Sequence, residues 1–348
     1  MMKTKVIIGM MVAAAAMLLA SCTDDPKLYS ANENFDMLWR TVDEHYCFFE
    51  YKNIDWNEVG NRYRAKMKEK DSMTQIEFFD LLAEMLAELQ DGHVNLSSSF
   101  DTSRYWIWEQ YPVNYDERLI DEHYLHFTYR LTGGMKYAQL QDSTFGYIYY
   151  GDFASGMGEG NIHNVLKSMD KTKGLIIDVR SNGGGYLTNV ETFVRRFLDE
   201  RTYAGAIRHK TGPGHNDFSE PYPYPYYFEP SNGYRYLDRP IVVLANRGSF
   251  SATNNFVSIM KSLPNVTVIG DTTGGGCGLP FTSEIPIGWN VRFSAAPIIG
   301  PDGELTEWGV APDIKVDMDA ADAAAGHDTI LDAALDFLNS QLGKRADK

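Results

Sequence analysis

The sequence predicts an α/β core behind a small N-terminal helical bundle. Two aliphatic runs, Gly174-Leu175-Ile176-Ile177-Asp178-Val179-Arg180 and Pro240-Ile241-Val242-Val243-Leu244-Ala245, read as strands buried on both faces of a parallel sheet. Each feeds a loop of small residues and then a helix with apolar residues at 3.6-residue spacing. Val190, Phe193, Val194 and Phe197 follow the first run; Phe256, Ile259, Met260 and Leu263 follow the second. Such alternation of strand, loop and helix implies right-handed crossovers. Before about residue 95 the periodicity is helical instead.

Residues 1–21 place Lys3 and Lys5 ahead of an apolar run, Val6 to Ala20, and end at Leu19-Ala20-Ser21 before Cys22. A charged start, a short apolar stretch and a small-residue cleavage site describe a secretory signal too short to span a bilayer. The ending resembles a bacterial lipobox, which implies lipidation of Cys22 and a membrane-anchored lipoprotein of the cell envelope. Residues 22–32 then read as a tether. Losing two lysines with the signal moves the net charge from −15 to −17. So acidic a chain disfavours nucleic acid and polybasic lipid contact as partners. Cys47 and Cys277 remain, and whether they pair is open.

Within residues 33–99, Phe35, Leu38, Trp39 and Val42 form one apolar stripe and Val59, Tyr63 and Met67 a second. Thr74-Gln75-Ile76-Glu77 is a capping box opening a third helix, with a face expected at Ile76, Phe79, Leu82, Met85, Leu86 and Leu89. The pattern then becomes β-rich. Residues 100–340 read as the core, with strands at Leu125–Leu131, Tyr137–Leu140, Gly146–Tyr150 and Val266–Ile269 and a helix around Ile162–Met169. The Tyr- and Pro-rich stretch 221–230 reads as an extended excursion.

The chemistry concentrates in Arg247-Gly248-Ser249-Phe250-Ser251-Ala252-Thr253-Asn254-Asn255-Phe256. A hydroxyl at such a strand-to-helix turn is presented at the sheet edge, beside the free amides of the first helical turn. An N-cap cluster without chemistry would look similar in isolation. Asn182-Gly183-Gly184-Gly185 lacks the spacing of a nucleotide-binding loop and suits a backbone anion site better. No metal-ligand spacing and no cofactor motif is present. Asp178 and Arg180 could be a structural ion pair or could touch substrate.

Taken together, five blocks resemble the C-terminal processing peptidases, or tail-specific proteases, in their tricorn-core-like and interphotoreceptor-retinoid-binding-like branch. They are Leu89-Gln90-Asp91-Gly92-His93, Leu175–Gly185, Ser249–Thr253, Gly270-Asp271-Thr272-Thr273-Gly274-Gly275-Gly276 and Thr306-Glu307-Trp308-Gly309-Val310-Ala311-Pro312-Asp313. The resemblance implies a crotonase (ClpP)-like fold and a serine endopeptidase acting on peptides or unfolded protein tails, without metal or cofactor. It implies Ser251 as nucleophile, His93 as base, Glu307 as the acidic partner with Glu304 close by, and an oxyanion hole from Ala252 with Gly183 or Gly184.

Relatives with a lysine base carry it where this chain has Gly276, and no lysine occurs between Lys261 and Lys315. A serine that often precedes the histidine in the family is Gly92 here. Residues 100–145 are short for a PDZ-like domain, which turns attention to Trp106, Trp108 and the Tyr222–Phe228 aromatics as peptide contacts. A non-catalytic surface lipoprotein binding hydrophobic ligands or peptides, or an esterase, is the alternative reading.

Overall fold

The computed structural model describes residues 30–105, 110–221 and 226–346. The signal segment, Cys22, most of the tether, Trp106, Trp108 and residues 222–225 lie outside them. Three helices come first: α1 (Ala31–His45), α2 (Trp56–Lys68) and α3 (Gln75–Ala87). Capping boxes Ser30/Glu33 and Thr74/Glu77 start α1 and α3, and the Asp55 carboxylate caps α2. Then follow β1 (Asn95–Ser97), β2 (Thr102–Arg104), α4 (Glu117–His123), β3 (Arg130–Thr132), β4 (Met135–Leu140), β5 (Phe145–Tyr150) and α5 (Glu159–Ser168). The chain continues through β6 (Gly174–Asp178), α6 (Leu187–Val194), β7 (Thr202–Tyr203), β8 (Ala206–Ile207), β9 (Tyr227–Phe228), β10 (Ile241–Ala245) and α7 (Ala252–Lys261). Last come β11 (Val266–Gly270), β12 (Gly278–Glu284), β13 (Asn290–Ile299), β14 (Ile314–Lys315), α8 (Ala320–Ala324) and α9 (Thr329–Ala346).

The central sheet runs β14-β11-β10-β6-β5-β4-β3, parallel from β14 to β5 and antiparallel beyond. Its aliphatic strands divide their side chains by alternation. Leu175, Ile177, Ile241 and Val243 pack with α5, α6 and α7; Ile176, Val242 and Leu244 pack with Ile330, Leu331 and Leu338 of α9. Continuous apolar runs are therefore required, because neither face meets water. The mixed α/β core behind N-terminal helices is the predicted fold class.

An antiparallel second sheet, β12-β13-β1-β2 with β8 on β13, carries the N-terminal helices, α1 against β13 and α3 against β1 and β2. Phe35, Leu38, Val42, Val59, Tyr63 and Met67 are buried as expected. Ile76 is not: it is 62% exposed, because it sits two residues, about 160° around the helix, from the inward-facing Phe78. The strand expected at Leu125–Leu131 is also corrected. His126 and Phe127 adopt φ of 47° and 53°, a turn after α4, and extended backbone is confined to Arg130–Thr132.

Asp178 and Arg180 form a structural pair. Both side chains are fully buried, with Arg180 Nη2 2.6 Å from Asp178 and Nη1 3.0 Å from Asp328. Asp328 also accepts the Ile330 and Leu331 amides, which fixes the start of α9 to the end of β6. Among the described residues no helix is long and apolar enough to cross a membrane.

Candidate active site

β6 and β10 are parallel neighbours in register, so their carboxyl ends open on one edge of the sheet. The loop after β6 and the turn after β10 meet there. Ser251 stands on that turn with φ 59° and ψ −119°, a conformation that costs a non-glycine residue energy and persists only where its surroundings enforce it. Those surroundings are specific. Ser251 N–H donates to Gly275 O at 2.9 Å, Phe250 N–H to Asn182 O at 3.0 Å, and Gly274 N–H to Ser249 O at 2.9 Å. Ser249 Oγ donates to Val179 O at 2.8 Å and Thr253 Oγ1 to Asn182 Oδ1 at 2.6 Å, so both flanking hydroxyls are committed to holding loops together.

His93 lies on the turn between α3 and β1, 3% exposed, and its Nε2 is 2.9 Å from Ser251 Oγ. For Nε2 to accept the serine proton, Nδ1 must carry the ring hydrogen. That atom faces Ser294 Oγ at 3.4 Å. Asp91 Oδ1 accepts the His93 backbone N–H at 2.8 Å, and the Phe250 ring packs 4.7 Å from the imidazole. Burial lowers the imidazole pKa to about 4, against the opposing pull of Asp91.

Gly276, where a lysine base would stand, has φ +79°, and a Cβ there would lie 2.4 Å from the Phe250 ring and 3.1 Å from His93 Cε1. A side chain at position 276 would collide with the Phe250 ring that packs on the imidazole and would crowd the histidine itself.

Glu307 is buried in the site, yet its carboxylate does not back the imidazole directly. Oε1 is 2.7 Å from Lys52 Nζ, and Oε2 accepts the Cys277 N–H at 3.1 Å. Lys52 Nζ also donates to Leu89 O at 3.2 Å and Gln90 O at 3.0 Å, which ties Glu307 to the backbone just before His93. Burial and the Asp91 charge push the Glu307 carboxyl up to about 8, with Lys52 pulling the other way. Glu304 is exposed and bonds Asp302 through its backbone, outside this cluster. Cys47 and Cys277 are free thiols, and burial raises both well above the usual range. Sequence reasoning missed Ser294 and Lys52, and assigned Asp91 no role.

Gly184 approaches the nucleophile turn closely: with φ +99°, an added Cβ would meet Phe250 O at 2.7 Å and Ser251 Cβ at 2.9 Å. Its N–H is committed to Asn182 Oδ1 at 3.0 Å. The N–H groups of Gly183 and of Ala252, the first residue of α7, have no acceptor among the described residues.

A cleft of about 400 Å³ opens over Ser251 and His93. A smaller pocket lined by Tyr105, Tyr111, Phe250 and Trp308 adjoins it across Gly92 and Arg247. The aromatics of the 221–230 excursion behave differently. Tyr226 and Phe228 are buried in the core, and only Tyr227 of the described three is exposed.

Residues 144–316 match the profile of Peptidase family S41, and residues 29–87 that of the Tricorn protease C1 domain. The carboxy-terminal processing protease CtpA of Bacillus subtilis (strain 168) is 25% identical over 185 residues, 52% of this chain and 37% of that protein. The carboxy-terminal-processing protease of Bartonella bacilliformis is 31% identical over 165 residues, 47% of this chain. The chain thus spans 37% and 35% of the length of these curated relatives. A candidate peptidase from Parabacteroides merdae ATCC 43184 superposes with a TM-score of 0.84 at 49% identity, covering 89% of this chain and 97% of that one. Mature CPAF, solved with lactacystin, shares the fold, with a TM-score of 0.68 at 12% identity over 90% of this chain and 98% of that one.

Proposed function

Because the chain belongs to peptidase family S41, we propose that it is a serine endopeptidase cleaving peptides or unfolded protein tails with Ser251 as nucleophile and His93 as base. The observation that carries this reading is the 2.9 Å contact between Ser251 Oγ and His93 Nε2 at an enforced strand-to-helix turn. Ser251 Oγ attacks the scissile carbonyl carbon while Nε2 takes its proton. The carbonyl oxygen becomes an oxyanion, received by the Ala252 and Gly183 N–H groups, which hold no other acceptor among the described residues; each such donor is worth about 3 kcal/mol in transfer of an acyl group. The Gly184 N–H, already bonded, serves the loop instead.

His93 returns the proton to the leaving amine, the C–N bond breaks, and an acyl-enzyme remains. Water, activated by the same imidazole, then releases the acid. Ser294 keeps the hydrogen on Nδ1, taking the place of the serine absent at Gly92, while Glu307 acts one step further out by fixing the loop before His93 through Lys52. A serine-directed fluorophosphonate should label the protein at Ser251; failure of labelling together with absence of peptide turnover would remove the reading.

Neutral imidazole is the active base, so activity rises as pH passes the folded-state pKa of His93. With burial lowering that value to about 4 from the ordinary 6.5, kcat/KM should have its acid limb below pH ~6 and be flat through neutrality. A limb centred above pH ~8 in the measured profile would transfer the proton to a different base.

Residues 1–22 support an exported form anchored by lipid on Cys22. Cys22→Ala should leave the membrane fraction or accumulate as an uncleaved precursor. Normal processing and membrane retention of that variant, followed by fractionation and mass, would remove the anchor.

A further inference from the structure

The cleft over the nucleophile is lined by three arginines, Arg104, Arg247 and Arg292, and by no carboxylate, in a chain whose net charge is −15. Their placement follows from the sheet. Asn95 of β1 is paired with Arg104 of β2 on one side and with Arg292 of β13 on the other. Residues directly opposite on neighbouring strands project from the same face. The alternate positions Leu96 and Val291 are fully buried on the other face, so Arg104, Asn95 and Arg292 form one row toward the cleft. The two arginines of this row stand about 10 Å apart at the backbone.

Arg247 approaches from the nucleophile turn. Its guanidinium reaches Asp271 only at 3.9 Å and Thr273 O at 3.5 Å, and its buried Nε has no hydrogen-bond acceptor among the described residues. Arg292 has no ion-pair partner among the described residues; burial and the Arg104 charge both weigh against its protonated form, with Asp91 opposing them. Arg247 from the nucleophile turn and Arg292 from β13 thus bring positive charge to the cleft from two sides, where no acid lines it, while acids are plentiful elsewhere on the chain.

We infer that this arginine row selects substrates bearing a carboxylate within a few residues of the scissile bond. The inference rests on the peptidase reading above and specifies its substrate class. The planar guanidinium fork matches a carboxylate bidentately and discriminates against neutral isosteres and cations. The carboxylate can belong to an Asp or Glu side chain or to the free end of the peptide, and the two are separable by experiment.

The full chain is assayed with matched internally quenched peptides carrying Glu, Gln or Lys on either side of the cleavage point, each as free acid and as C-terminal amide. Glu should exceed Gln by about tenfold in kcat/KM, with Lys lower still, and the preference should shrink at high salt. A preference seen only between acid and amide assigns the row to the chain end. Equal rates within twofold across Glu, Gln and Lys, in both acid and amide series, would overturn the inference. Arg292→Glu should invert the Glu to Lys ratio, and Arg104→Glu, on an exposed strand position, provides the same ratio if the first variant does not fold. If no peptide is turned over, the peptidase reading is at fault. The same series is then measured as binding to Ser251→Ala by fluorescence anisotropy, where indifference to charge counts against the arginine row and a Glu preference supports it.

Discussion

Ser251→Ala is expected to lower peptide turnover by about a thousandfold or more, His93→Ala by a similar factor, and the double variant by little beyond either. The two side chains perform one event, transfer of the serine proton to Nε2 during attack, across the 2.9 Å contact between them. Once either is gone, the other has nothing to act with. Residual catalysis falls to the oxyanion donors and to substrate binding, which both variants keep. The Ser251 hydroxyl has His93 as its hydrogen-bond partner, and its removal relaxes nothing in the core, so thermal unfolding of Ser251→Ala should stay close to wild type. A folded Ser251→Ala with wild-type turnover would sink the mechanism. An active His93→Ala would move the base elsewhere. Additive losses in the double variant would show that serine and histidine act in separate steps.

Much of this site is legible locally in the chain. The nucleophile turn is readable because a buried strand, a run of small hydroxyl residues and an apolar-periodic helix adjoin within about twenty residues. Thr74 and Glu77 announce α3 because a capping box is a four-residue signal. Ser294 is of another kind. It lies 201 residues from His93, on a strand whose alternation is interrupted by a register shift opposite Leu279 and Pro280, and nothing near it distinguishes it from an ordinary strand serine. Lys52 likewise meets Glu307 across 255 residues. Pairing at that range is fixed by tertiary packing alone.

Glu307 illustrates the limit: its block identifies it as belonging to the site, but its partner depends on a lysine from the helical region. α9 is a miss of a different sort. Its signal was present, in Asp328 as cap and in apolar residues at 330, 331, 334, 335 and 338. The expected strand at Leu125–Leu131 failed because aromatic and β-branched content does not register two successive left-handed residues, His126 and Phe127.

The second large effect is expected at Lys52. Its side chain is 2% exposed and its ammonium is the cation shared by Glu307 and the Leu89 and Gln90 carbonyls, with Asp91 at 3.8 Å. Lys52→Met leaves buried acids without their counter-charge and two carbonyls without a donor, a loss of about 3–5 kcal/mol. The loss should depend on pH in a defined sense. In the wild type the folded-state pKa of Glu307, about 8, lies above the ordinary value of 4.5. The folded protein therefore holds more protons than the unfolded chain between these values, and this group's contribution to stability falls as pH rises through that window.

Without Lys52 the folded-state value moves higher still, so the fall continues into the alkaline range. Unfolding of wild type and Lys52→Met at pH 6, 7.5 and 9 should show a similar deficit at the first two values that widens toward pH 9, once pH passes the wild-type value of about 8, at a limiting slope of about 1.4 kcal/mol per unit. Adding Glu307→Gln should remove the widening and restore part of the stability, because a neutral amide no longer needs the cation. The same loosening of the backbone before His93 should lower kcat more than it changes KM. A deficit constant across the three pH values would mean that Lys52 supports packing and does not hold the Glu307 charge.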